Sequence, residues 1–219
     1  MFLYFLMNKQ AKTVAIVVAH PDDETLWAGG TLLGNPDKSY FVASLCRKND
    51  ADRAPKFGKA LETLGAEGMM GDLDDGTEQM PLANEEVEQT ILQLLPAKRY
   101  DLVITHSIHG EYTRHLRHEE TGRAVINLWV SGKLRTDELW AFAYSDNRKA
   151  HLPVADRGVP LYYQLRGHIW EKKYDIITAI YGFDKNSWEA RTTPRNEAFH
   201  QFFTAAAANA WVAGGNVTS

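Results

Sequence analysis

Apolar and polar positions along this chain fall into blocks that read alternately as buried strand and one-sided helix. Val14 to Ala19 is an unbroken, largely β-branched apolar run, the pattern of a strand covered on both faces in a parallel sheet. Pro21 ends it, having no N–H for a ladder, and Thr25 to Leu33 carries enough apolar residues for a returning helix. Tyr40 to Cys46 repeats the strand pattern. Arg53 to Leu64 then places Phe57, Ala60, Leu61 and Leu64 on one helical face, with Gly65 as the stop.

A short apolar piece around Met69 and Met70 predicts a third strand, followed by the acidic loop Gly71 to Gly76. Asn84 to Leu95 reads as a helix, Asp101 to His106 as a fourth strand, Glu119 to Trp129 as a helix and Trp140 to Tyr144 as a fifth strand. Beyond about residue 146 the alternation weakens. Leu161 to Leu165 fits an edge strand, and Trp170 to Ala179 and Asn196 to Ala208 fit helices of a C-terminal cap or lid containing Tyr181, Phe183 and Trp188. The succession of strand and helix predicts one α/β domain over 1–219, a Rossmann-like three-layer sandwich with a mainly parallel sheet and right-handed crossovers.

Composition narrows the class of function. The 219 residues are 44% hydrophobic and 24% charged, with a net charge of −4 and both signs interspersed. No basic stripe marks a nucleic-acid or anionic-membrane partner, so a small-molecule substrate is expected. A homo-oligomer is compatible with the sequence. The single cysteine, Cys46, excludes an internal disulfide and a Cys-rich zinc site, and reads as a packed core thiol. Met1 to Met7 is apolar but lacks a basic leader and falls far short of a membrane span; a cytoplasmic protein is expected, with Met7 an alternative start. Asn216-Val217-Thr218 matches a glycosylation sequon only as a short pattern near the end of the sequence.

The chemistry concentrates at two strand ends. His20, Asp22, Asp23 and Glu24 occupy the turn after the first strand, at the carboxyl edge where open α/β sheets bind ligands. A hydrolytic zinc site takes three histidine or carboxylate ligands and leaves one position for water. His20 and Asp23 supply two, and the loop holding His115 and His118 supplies a third. Glu24 reads as a dipole-complementing or supporting acid as readily as a catalytic one. His106 and His109 read as residues that line the loop or meet solvent. The acids after the third strand lack the remaining ligands of an EF-hand.

The segment Ala19-His20-Pro21-Asp22-Asp23-Glu24 and the later His115-x-x-His118 resemble the PIG-L/LmbE family of zinc-dependent deacetylases, in order from Val14 to about Trp129. The resemblance implies a hydrolase that removes the acetyl group from N-acetylglucosamine-type or related amino sugars. It implies zinc on His20, Asp23 and His118, Asp22 as general base and His115 steadying charge at the reacting carbonyl. Arg53 stands where the family binds sugar hydroxyls, though Pro55-Lys56 replaces the usual acids; Asp75, Tyr112 and Arg114 are further candidate substrate contacts, with Asp74 and Arg117 beside them. The family's histidine-containing C-terminal motif is not recognisable near Tyr181-Gly182-Phe183. Alternative readings are a metal-dependent amidase for another N-acyl compound, such as a cysteine conjugate, and a non-catalytic carbohydrate-binding relative.

Overall fold

The computed structural model describes residues 12–214, so the expectations for Met1 to Met7 and for the Asn216 sequon lie outside the described residues. Seven strands form the central sheet: β1 (Thr13–Val18), β2 (Ser39–Cys46), β3 (Ala66–Leu73), β4 (Leu102–Thr105), β5 (Leu139–Phe142), β6 (Leu161–Gln164) and β7 (Asn196–Phe202). Their order is β3-β2-β1-β4-β5-β7-β6. The first five are mutually parallel, while β7 runs antiparallel to both β5 and β6.

Helices α1 (Asp23–Gly34), α2 (Arg53–Leu64), α3 (Asn84–Leu94), α4 (Leu116–Val130), α5 (Gly167–Asp175), α6 (Trp188–Thr192) and α7 (Ala205–Gly214) complete the fold. They cover both faces of the sheet, giving three layers. Successive residues of β1 point to opposite faces: Val14, Ile16 and Val18 pack in one core with Leu26 and Trp27 of α1, while Ala15 and Val17 join the other with Ile91 of α3 and Val125 of α4. That two-sided burial is why the strand reads as a continuous apolar run. Cys46 is buried at the end of β2, and burial pushes its thiol up.

The order reverses between β1 and β4, and both strands point their carboxyl ends to one edge, creating a crevice there. Val17 pairs with Thr105, so the residues after the two strands emerge level with each other. Gly122 brings α4 close to this edge, since a Cβ at that position would stand 2.5 Å from the His106 carbonyl oxygen.

The C-terminal third departs from the sequence expectation. Residues 196–202 are a strand of the central sheet, not the start of a helix, and the helix begins only at Ala205. Glu197 explains the difference. Its fully buried carboxylate accepts the Gly30 and Thr31 amides of α1 at 2.8 Å each and the Lys173 ammonium of α5 at 2.7 Å, partners far away in sequence. The region after residue 146 is therefore built into the sheet through β6 and β7, and among its described residues Trp188 and Glu189 of α6 line the crevice. α4 also starts three residues earlier than the pattern suggests, at Leu116. No helix among the described residues is long and apolar enough to cross a membrane.

Candidate active site

The turn from β1 into α1 is held in an uncommon conformation. Asp22 has φ 116°, a region that costs a non-glycine residue strain and is found where surroundings over-determine the backbone. Glu24 supplies that restraint. Its buried carboxylate accepts the Asp22 N–H at 3.0 Å and the Tyr181 hydroxyl at 2.8 Å, and also the Thr25 hydroxyl. Glu24 thus supports Asp22 from below and does not line the crevice.

Four imidazoles and a carboxylate converge above this turn. His20 Nδ1 lies 3.1 Å from Asp23 Oδ2, His118 Nε2 lies 3.3 Å from the same oxygen, and the two nitrogens are 3.3 Å apart. Ligand atoms bound tetrahedrally at about 2.0–2.1 Å from an ion stand roughly 3.3 Å from one another. The triangle matches that spacing on all three sides, so this donor set fits a metal such as zinc. Carboxylates behind the ligands set their direction: His20 Nε2 faces Asp75 at 3.1 Å and His118 Nδ1 faces Glu111 at 2.6 Å, the arrangement that fixes tautomer and ring orientation in metal sites. Trp27 Nε1 donates to the other oxygen of Asp23 at 2.9 Å.

His106 is fully buried within the cluster, contrary to the sequence expectation that it lines the loop or meets solvent. Its Nε2 accepts the Ala19 amide at 3.0 Å, so the proton sits on Nδ1, which faces Glu111 at 2.9 Å. With that lone pair occupied, His106 braces the end of β1 and stacks on His118 at 4.0 Å. Two further three-residue groups come together, His20 with His115 and His118, and Asp23 with His106 and His118; in the second the Ala19 amide competes for the His106 nitrogen. His109 is exposed, as expected.

A cavity of about 320 Å³ opens in front of the triangle, lined by His20, Asp22, Asp23, Arg53, Asp75, Tyr112 and His115, and also by Arg47, Gln79, Trp188 and Glu189. His115 precedes α4, stacks on His118 at 4.3 Å and leaves its buried Nδ1 without a hydrogen-bond partner. Burial, then the His118 and His20 charges, push it down to about 3, so it stays neutral and keeps one N–H to donate. Burial and the adjacent Asp23 raise Asp22 to about 8, against the pull of Arg53, whose guanidinium meets it at 2.6 Å. Arg53 also lies 4.4 Å from the centre of the Phe183 ring.

Other sequence-predicted contacts have different surroundings. Asp75 is engaged by His20 and by Arg47 at 2.6 Å, so its first task is to orient a ligand histidine. Arg114 is absent from this cavity and forms a two-pronged pair with Glu119 at 2.6 and 2.8 Å. Arg117 is buried and bonds the Asp74 and Met80 carbonyls, holding the loop over the site. Glu111, Arg47, Gln79 and Glu189 were not singled out by the sequence. For His106 a signal existed: an apolar strand ending directly in histidine repeats the layout of His20.

Residues 15–129, more than half of the chain, match the sequence pattern of the PIG-L family, described as GlcNAc-PI de-N-acetylase. Uncharacterized protein L374 of Acanthamoeba polyphaga mimivirus is 23% identical over 176 residues, covering 74% of this chain and 75% of that one. The N,N'-diacetylchitobiose deacetylase of Pyrococcus horikoshii superposes with a TM-score of 0.66 at 16% identity, over 89% of this chain and 85% of that one. The 4-carboxy-2-hydroxymuconate hydratase GalB of Pseudomonas putida KT2440 gives 0.58 at 17% identity, over 83% of each chain. At these identities the two structures share the fold, and their differing reactions show that the fold alone does not choose the chemistry.

Proposed function

The chain belongs to the PIG-L family of GlcNAc-PI de-N-acetylases, and from that premise we propose that it is a zinc-dependent hydrolase removing the acetyl group from an N-acetylglucosamine-type or related amino-sugar substrate. One observation carries the reading: three ligand atoms spaced 3.1–3.3 Å apart, two of their residues lining one cavity together with Asp22. A purely binding relative has no use for a base placed next to a metal-ligand triangle.

His20, Asp23 and His118 would hold the ion. Bound zinc supplies a Lewis acid for the acetyl carbonyl and for water, and its charge favours the ionised form of Asp22. Asp22 accepts a proton from water as the water oxygen bonds to the amide carbon. His115 donates its N–H to the oxygen that gains charge; as a neutral imidazole it does so without adding a cation near His20 and His118. The carbon–nitrogen bond then breaks, and the proton held on Asp22 passes to the nitrogen, releasing acetate and a free amine. Arg53 keeps Asp22 turned toward the cavity and, with Tyr112, contributes polar surface for the substrate.

The test incubates zinc-loaded protein with N-acetylated sugars and simple N-acyl amides and measures released acetate or amine. Acetate should come from the amino sugars, disappear after chelation and return with added zinc. No acetate from any N-acetyl compound, or release that persists in metal-free protein, would end this reading.

A further inference from the structure

Two of the residues that line the cavity, Trp188 and Glu189, lie beyond 129, outside the segment that matches the family. Trp188 opens α6, whose first turn is capped by the Ser187 hydroxyl accepting the Ala190 amide at 3.1 Å. Trp188 is 36% exposed and lines the cavity. The Tyr112 ring meets it edge-on at 4.7 Å, and Trp27, which bonds Asp23, lies 6.4 Å away. An aromatic series therefore runs from a ligand carboxylate to the rim and ends in a partly uncovered indole.

Charge at the rim narrows what that surface accepts. The two guanidiniums of the cavity are both engaged, Arg47 by Asp75 and Arg53 by Asp22, each at 2.6 Å. Glu189, next to Trp188, also lines the cavity and has no cation partner among the described residues. An incoming phosphate or carboxylate would meet an unpaired acid and no free arginine. A cavity of about 320 Å³ is at the small end of ligand sites, roughly 300–1,000 Å³, enough for one ring with its acetyl group.

We propose that Trp188 and Glu189 form a pyranose-binding wall that selects an uncharged amino-sugar ring, the indole packing on the ring's C–H face and the Glu189 carboxylate accepting from its hydroxyls. The electron-rich face of tryptophan suits the slightly positive C–H face of a sugar, and a large indole at a cavity mouth is a frequent anchor for binding. This wall rests on the amino-sugar reading for its ligand but not on any residue that handles the proton.

The test compares the zinc-loaded full chain with its Trp188→Ala, Trp188→Phe and Glu189→Gln variants. Substrates are methyl N-acetyl-β-glucosaminide, its 6-phosphate and acyclic N-acetylethanolamine; glucosamine binding is measured separately by calorimetry. Trp188→Ala should reduce both the ring-over-acyclic preference in kcat/KM and the glucosamine affinity by about 10- to 100-fold, chiefly through KM, and Trp188→Phe should recover most of it. Glu189→Gln should narrow the discrimination against the 6-phosphate by about tenfold. Unchanged preference and unchanged glucosamine affinity in Trp188→Ala overturn the wall even if acetate is released. Equal wild-type turnover of the neutral and phosphorylated sugars overturns the selection for an uncharged ring. Glucosamine binding that depends on Trp188 in a protein releasing no acetate upholds the wall while refuting the hydrolase reading.

Discussion

The parallel half of the molecule and the C-terminal third both reach the same cavity, but with side chains held in opposite ways. At the ends of β1 and β4 both oxygens of each buried carboxylate are engaged. Glu111 Oε2 meets His106 and His118 while Oε1 accepts the Ser107 amide, and Asp23 meets histidines with one oxygen and Trp27 with the other. Such burial and mutual bonding preorganise a site. The wall from α6 instead presents an exposed indole and a half-buried carboxylate on a five-residue helix. Chemistry is placed on the rigid sheet edge and substrate choice on the addition to it.

The sharpest way to break that division is Asp22→Asn, which removes the base while leaving an acceptor for Arg53. Turnover should fall by about 10²- to 10⁴-fold with zinc content and melting temperature close to wild type, measured on the same preparation. Loss of bound zinc together with activity would show that Asp22 belongs to the metal shell and does not act on its own. The two regions are physically joined at Glu197, so Glu197→Ala tests whether the third is part of the fold. It leaves the Lys173 ammonium without its partner in a fully buried position and should lower unfolding free energy by about 3–5 kcal/mol in a denaturant titration. A loss below about 1 kcal/mol would mean that the C-terminal strands dock weakly.

These residues also mark where the sequence is readable. His20, Asp22, Asp23 and His118 stand out because local rules place them: an apolar strand, a proline stop, and ligand types near a helix start. Asn196 to Phe202 misleads because the alanine-rich stretch after it favours helix, while the strand depends on Glu197 finding α1 and Lys173 across the fold. Local propensity carries no trace of such partners. His106 is missed for a related reason, since it is braced by the Ala19 amide just beyond the end of β1, far away in sequence. Arg117 stands beside the candidate contacts in the sequence, yet its guanidinium is taken up by the Glu120 carboxylate and by two carbonyls of a loop that composition does not locate.

A smaller effect is expected behind the ligands. Glu111→Gln keeps an acceptor but removes the charge that two imidazoles share, so zinc affinity should drop by about 10- to 100-fold in a competitive chelator titration while the fold persists. Unchanged affinity would limit Glu111 to packing. His118 would then owe its direction to Asp23 and to its stacking on His106 and His115.

The smallest effect belongs at the other end of the strands. Asp101 Oδ2 accepts the Thr13 N–H at 2.7 Å and its hydroxyl at 3.0 Å, tying the starts of β1 and β4. The Thr13 amide holds the Asp101 carboxyl below its ordinary value, with burial opposing. The folded protein therefore binds this proton less readily than the unfolded chain. Stability from the contact is complete above the ordinary aspartate pKa and is lost as pH falls through the lowered one. Asp101→Asn should cost under about 1 kcal/mol near neutrality, with the gap to wild type closing as pH drops below about 4. Because these residues lie at the amino ends, opposite the cavity, kcat and KM should not move. A change in turnover from Asp101→Asn would show that strain at the amino ends reaches the ligand triangle, and that the sheet is less rigid a platform than its bonding suggests.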